Sequence, residues 1–224
     1  MIRNITWFVV LAGVVLIATS AQAAIIDDFT EGSMIVSDPG TTSVSQDSLD
    51  PAHVMGGKRT MSITSDVTGN AMSRAYMDPG FVALATDPTF QADLTLLWDG
   101  GPMNLTPNDE DALEVTVDNA DHAGDMTITL TDTDGSIVAV TKSFSAGSNF
   151  TLLFTEADFA DPANEIDYGT DGFDPTMTQS IELLLDGSPA GDYQLSLVQT
   201  VPEPATMAIL TLGGLGAMTI RRRR

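Results

Sequence analysis

His53 and His122 are the only two imidazoles in the chain, and cysteine is absent. A thiol nucleophile and a thiolate metal site are therefore excluded. Both histidines fall in turn-like stretches. No Gly-x-Ser-x-Gly elbow accompanies them, and neither a His-Glu-x-x-His pair nor a phosphate-cradling glycine loop occurs. Carboxylates are the remaining source of chemistry: 31 acids stand against 9 bases, for a formal net charge of −22. Paired carboxylates can hydrolyse glycosides, and clustered ones can hold calcium. Asp27, Asp28, Asp132 and Asp134 are the candidate metal ligands, and structural calcium is the one cofactor the sequence suggests. Aspartate is equally the ordinary residue of solvated turns. The stretch 167–172 lacks the second ligand and the closing glutamate of an EF-hand. No catalytic residue is assigned. The expectation is a protein without enzymatic activity, with a divergent hydrolase as an alternative.

A sugar ligand would need an exposed aromatic platform. Trp98 is the candidate, with Tyr76 and Tyr168 as alternatives. Trp98 is in phase with Leu94 and Leu96, so core packing is the competing reading. Thr127, Thr129, Thr131 and Thr133 form a period-two hydroxyl ladder, too narrow alone for an ice-binding array. Nucleic acid is excluded as a partner, because a polyanion repels the phosphate backbone that dominates such binding.

The elements that must position these residues fall into three charge regimes. Residues 24–204 hold every acid, against Lys58, Arg59, Arg74 and Lys142 alone. Residues 1–23 have the form of a secretory signal peptide: Arg3, an apolar run from Ile5 to Ala18, then small residues at Ala21 and Ala23. Signal peptidase is expected to cut after Ala23, the alternative being an uncleaved anchor. At the other end, 201–224, Pro202-Glu203-Pro204 precedes sixteen mostly apolar residues, Ala205 to Ile220, and then Arg221, Arg222, Arg223 and Arg224. Sixteen helical residues span about 24 Å, enough for a membrane that thins locally while arginines reach the headgroups. The basic cluster then lies in the cytoplasm and the acidic domain outside.

Pro-Glu-Pro, a short apolar helix and a basic end resemble the PEP-CTERM sorting signal of Gram-negative bacteria. That tail is also labelled the C-terminal domain of ice-binding proteins. The resemblance implies an exosortase partner, a membrane-embedded cysteine peptidase that processes the tail near Pro202, Glu203 and Pro204. It implies an inner-membrane-anchored precursor, then an envelope or extracellular location. An ordinary tail anchor is the alternative.

Residues 24–200 are expected to be one domain. Asp-Pro and Asp-Gly turns punctuate short runs of period-two alternation: Leu94, Leu96 and Trp98; Leu113, Val115 and Val117; Met126, Ile128 and Leu130; Ile181, Leu183 and Leu185; Tyr193, Leu195 and Leu197. Half-buried strands of this kind predict an all-β antiparallel sandwich, flanked by a signal helix and a transmembrane helix. The one helical hint lies near Glu156 to Phe159. Ile26-Asp27-Asp28-Phe29, Gly56-Gly57-Lys58-Arg59-Thr60 and Leu130 to Gly135 resemble galactose-binding-like jelly rolls, which include carbohydrate-binding modules. The domain is thus expected to be a structural or binding module of the envelope or extracellular matrix, with exopolysaccharide as the alternative ligand. N-terminal sequencing of the exported protein should return Ala24 first; an intact Met1 would refute the cleavage.

Overall fold

The computed structural model describes residues 23–39, 42–66, 72–105, 110–167 and 172–202. The signal segment with Ala21, and the tail from Glu203 and Pro204 through Arg221, Arg222, Arg223 and Arg224, lie outside them. Among the described residues no helix is long and apolar enough to cross a membrane.

Two antiparallel sheets face each other. The first contains β1 (Ile25–Asp27), β2 (Met34–Asp38), β5 (Ser73–Asp78), β6 (Phe81–Ala85), β8 (Glu110–Ala120), β11 (Gly147–Thr155) and β14 (Asp192–Pro202). Its order is β11-β8-β14-β6-β5-β2, with β1 also paired to β14. The second contains β3 (Ser43–Asp47), β4 (Lys58–Ser65), β7 (Ala92–Trp98), β9 (Gly124–Asp132), β10 (Ile137–Phe144), β12 (Glu165–Asp167) and β13 (Thr178–Gly187). Its order is β12-β10-β9-β13-β7-β4-β3. The all-β antiparallel sandwich anticipated from the alternation is the fold. The single α-helical turn, α1 (Glu156–Phe159), carries a capping box between Thr155 and Asp158.

Alternate residues of both sheets point inward and are buried: Met61, Leu94, Ile128 and Leu183 from one, Val36, Met77, Leu84 and Val115 from the other. Each such side chain contributes roughly 1.5–3 kcal/mol by leaving water. One expected inward position is wrong. Register shifts in β14 around Leu195 rotate the strand, so Val198 is fully buried and Leu197 is only half-buried. A bulge of this kind inserts a residue and reverses the alternation beyond it. β14 also continues through Pro202, two residues past the expected domain boundary.

The core holds an ion pair. Arg59 from β4 and Asp27 from β1 are both fully buried. Arg59 Nη1 donates to Asp27 Oδ1 at 2.8 Å and Oδ2 at 2.9 Å. Trp98 Nε1 donates to Oδ2 at 2.9 Å, and the Phe29 amide to Oδ1 at 2.8 Å. Gln46 Oε1 accepts from Arg59 Nε and Nη2, and the Glu31 carbonyl accepts from Nη2. The pair joins one sheet to the other. The turn after β1 is shaped by it: Phe29, enclosed by the core, takes the left-handed conformation at φ 55° while Asp27 holds its amide.

A second close fit brings the chain before β4 against the end of β7. A Cβ on Gly100 would lie 2.0 Å from the Gly56 carbonyl oxygen. Neither position tolerates a side chain there without backbone movement.

Removing one member of a buried pair leaves the other charge uncompensated, which costs about 3–5 kcal/mol. Asp27→Leu and Arg59→Met should each destabilise by that order in urea unfolding. The double replacement Asp27→Leu/Arg59→Met should be clearly more stable than either single variant. Strict additivity of the losses would show that the two residues are not coupled.

Candidate functional site

Burial decides two of the sequence candidates at once. Trp98 is 0% exposed, so it is no ligand platform; its indole spans the core to reach Asp27. Asp27 is not open to a cation, since its two oxygens take four hydrogen bonds from Arg59, Trp98 and Phe29. Burial pushes its carboxyl above the usual carboxylate range, against the pull of Arg59 and the Trp98 indole.

The other carboxylates named for metal serve local turns. Asp28 Oδ1 accepts from the Thr30 amide and hydroxyl, and Oδ2 meets His53 Nδ1 at 2.7 Å. Partial burial raises the Asp28 carboxyl, but these hydrogen bonds outweigh it and hold it below the ordinary range. Asp132 Oδ1 accepts from the amides of Asp134 and Ser136, and Oδ2 from the amide of Asp174. Asp134 accepts from the Ser136 amide and hydroxyl. Among the described residues no group of three or more His, Asp or Glu side chains is arranged to hold a metal ion.

Thr30, His53 and Asp28 also meet, but not as a nucleophile relay. Both partners contact the same ring atom, His53 Nδ1, at 3.1 Å from Thr30 and 2.7 Å from Asp28. A relay needs the two imidazole nitrogens to face the nucleophile and the acid separately.

What remains is the outward surface of each sheet, and the two differ in chemistry. Directly paired residues on neighbouring strands share a face. On the first sheet one row runs Ile35, Tyr76, Ala83, Gln194, Asn119 and Ser148 across β2, β5, β6, β14, β8 and β11. Six strands at about 4.8 Å spacing make a surface roughly 24 Å wide. Tyr76 is half-buried and packs edge-on against Phe81, with centroids 5.8 Å apart at 85°. Arg74, two residues along β5, is exposed, and Ile35 is 62% exposed. Towards the centre Asp118 accepts from Ser196 Oγ at 2.7 Å and Gln194 Nε2 at 3.3 Å, and Glu114 accepts from Gln199 Nε2 at 3.0 Å. This face therefore sets an aromatic pair and a guanidinium beside a field of carboxylates and amides. Such a set can stack on a sugar ring and bond its hydroxyls.

The second sheet presents hydroxyls. One row runs Ser62, Thr95, Leu184, Thr127 and Thr141. Thr127 Oγ1 and Thr141 Oγ1 are 2.8 Å apart, as are Ser45 Oγ and Thr60 Oγ1. The threonine ladder of β9 thus gains neighbours from other strands, but Leu184 interrupts the row, and Thr133 falls in the turn beyond β9. Tyr76 was legible in the sequence as an aromatic residue outside the main alternation. Its neighbours Arg74, Asp118 and Gln194 were not, because only the strand order brings them together.

Residues 200–224 match the PEP-CTERM protein-sorting motif. The chain therefore carries this sorting signal, which marks an exported, envelope-directed substrate of exosortase. No curated protein matches the sequence. Among solved structures, the family 11 carbohydrate-binding module of a cellulosomal cellulase from Clostridium thermocellum is 11% identical with a TM-score of 0.41, covering 82% of this chain and 96% of that one. The same module in complex with a mixed-linked tetrasaccharide gives 14% and 0.40, covering 82% and 98%. An exo-β-agarase gives 12% and 0.44, covering 81% of this chain and 25% of that one. The sandwich described above rests on the strand pairing itself.

One feature of the second face bears on stability. Asp93, Asp186 and Asp125 stand directly opposite one another on β7, β13 and β9. Asp93 Oδ1 is enclosed and has no hydrogen-bond partner. Burial first, then the charges of Asp186 and Asp66, raise the Asp93 carboxyl above its ordinary value. The folded state thus binds this proton more tightly than the unfolded state. Stability is withheld at neutral pH and recovered as pH falls through the folded-state pKa. Asp93→Asn should raise Tm by a few degrees at pH 7, with the gain shrinking towards pH 4 in thermal melts. An equal gain at both values would mean that charge is not the cause.

Proposed function

We propose that this protein is anchored in the inner membrane by its tail until exosortase processes it, and then serves in the envelope or extracellular matrix as a non-catalytic polysaccharide-binding module. The observation that carries the reading is the sorting motif at residues 200–224, which begins inside the last strand of the sandwich. The apolar segment from Ala205 to Ile220 holds the precursor, and the four terminal arginines keep its end in the cytoplasm. Signal peptidase acts first at Ala23. The dense negative charge then keeps the free domain soluble and discourages self-association.

Support for a glycan ligand comes from the outward face of the first sheet. Tyr76 and Phe81 offer a half-exposed aromatic pair, Arg74 a planar donor, and Asp118, Gln194 and Glu114 hydroxyl partners. A neutral chain suits it best, because an acidic polymer would meet a like-charged surface.

Two measurements test this. Replacing Pro202, Glu203 and Pro204 with alanine should leave the full-length precursor membrane-bound in the native host; unaltered processing would reject sorting by this tail. Binding to the host's exopolysaccharide should fall about tenfold, or 1.4 kcal/mol, for Tyr76→Ala at unchanged Tm, and not for Thr95→Ala on the opposite sheet. No retention by any polysaccharide on a glycan array would remove the ligand assignment.

A further inference from the structure

The chain enters and leaves the sandwich at one place. Ala24 donates its backbone N–H to Thr200 Oγ1 at 2.9 Å, and its carbonyl accepts from the Thr200 N–H at 2.8 Å. β1 then runs antiparallel to β14, with Ile25 opposite Gln199. Thr200 is fully buried. Beyond it two residues of β14 remain: Val201, opposite Ala112, and Pro202, opposite Glu110. Up to Thr200 the end of β14 is held from both sides. Past Thr200 its pairing is with β8 alone. Val201 is half-buried, the register slips between Val201 and Pro202, and proline has no N–H to give. This last rung is the weakest of the strand, of the kind that frays at little cost.

Pro202 is also the first residue of the sorting tripeptide, and the apolar segment starts at Ala205. Three Cα–Cα steps reach at most about 11 Å. The headgroup zone on one side of a bilayer is about 5–8 Å deep. With the apolar segment seated in the membrane, the pole of the domain carrying Ala24 and Thr200 therefore rests close on the headgroups. By sequence, two residues separate the end of β14 from the apolar segment. A groove that takes an extended peptide by backbone pairing needs a longer segment than that.

We propose that Val201 and Pro202 form a releasable clasp: they unpair from the start of β8 to hand the Pro-Glu-Pro segment to the membrane-embedded peptidase, and the pairing of Ala24 with Thr200 is where the unpairing stops. This rests on the reading of the tail as membrane-seated and exosortase-processed. Release lengthens the stretch between the paired strand and the apolar segment from two residues to four, about 7 Å more of extended chain. Opening further would expose Thr200 and break its bonds to Ala24. The pole is thus the face the precursor turns to both membrane and peptidase.

The chain has no cysteine, so an engineered pair forms one defined bridge. Ala112 and Val201 are directly opposed, at a Cα separation of about 4.5–5.5 Å in an antiparallel ladder, within disulfide reach. In a host with active exosortase, pulse-chase of full-length Ala112→Cys/Val201→Cys should show tail processing slowed at least tenfold, and restored by reductant. The bridge Ser45→Cys/Thr60→Cys, between β3 and β4, should process at the parental rate. Insertion of four Gly/Ser residues between Thr200 and Val201 should speed processing. Parental rates in the verified Ala112–Val201 disulfide, or slower processing of the insertion variant, would overturn the clasp. A parental chain left unprocessed would instead remove the sorting reading, and the clasp with it.

Discussion

The bond between Arg59 and Asp27 is the constraint on which the rest of the sandwich is arranged. A guanidinium and a carboxylate with no access to water are tolerated only when nearly every donor and acceptor is met. Here Trp98, Gln46, the Phe29 amide and the Glu31 carbonyl meet them. Satisfying that set fixes β1 over β4 and β7 and forces the left-handed turn at Phe29. Apolar packing would hold two sheets together at many offsets. A buried pair with this many partners selects one.

The same strand that carries Asp27 also determines where the chain ends meet. β1 lies beside the last half of β14, so the anchor of the core and the junction with the tail are separated by a few residues on one strand. The ends of the domain therefore emerge together, and the sorting motif begins beside the start of the sandwich. The two outward faces are then left for the surroundings. The hydroxyl face pairs its own side chains, Thr127 with Thr141 and Ser45 with Thr60. The opposite face sets aromatic rings, amides and carboxylates in one field.

Much of the architecture was legible from periodicity. The inward residues of β7, of β9 from Met126, of β8 from Leu113 to Val117 and of β13 from Ile181 alternate without interruption, and burial along a pleated strand obliges that pattern. β14 was misjudged after Leu195, because a bulge leaves no mark in a pattern of apolar letters. The short strands β2, β3 and β5 passed without notice: Ser43–Asp47 has one apolar residue, and an edge strand half in water needs no more. The site was less legible still. Asp27 and Trp98 were singled out for chemistry they do not perform: the Trp98 indole is buried on Asp27, and Asp27 is claimed by Arg59, one of four cations in the acidic domain and unremarkable by spacing.

By itself the sequence determined the sorting signal and the fold class. Export signals and sorting tails work as linear segments, read by charge order, apolar length and backbone stiffness, so they need no partner elsewhere in the chain. Strand alternation is likewise local. Tertiary structure alone decided which aspartate is buried, which aromatic ring faces out, and that Ala24 lies against Thr200. Those facts depend on strand order and register, set by contacts between residues as many as 176 positions apart. No pattern within a single strand encodes what its neighbour will place beside it.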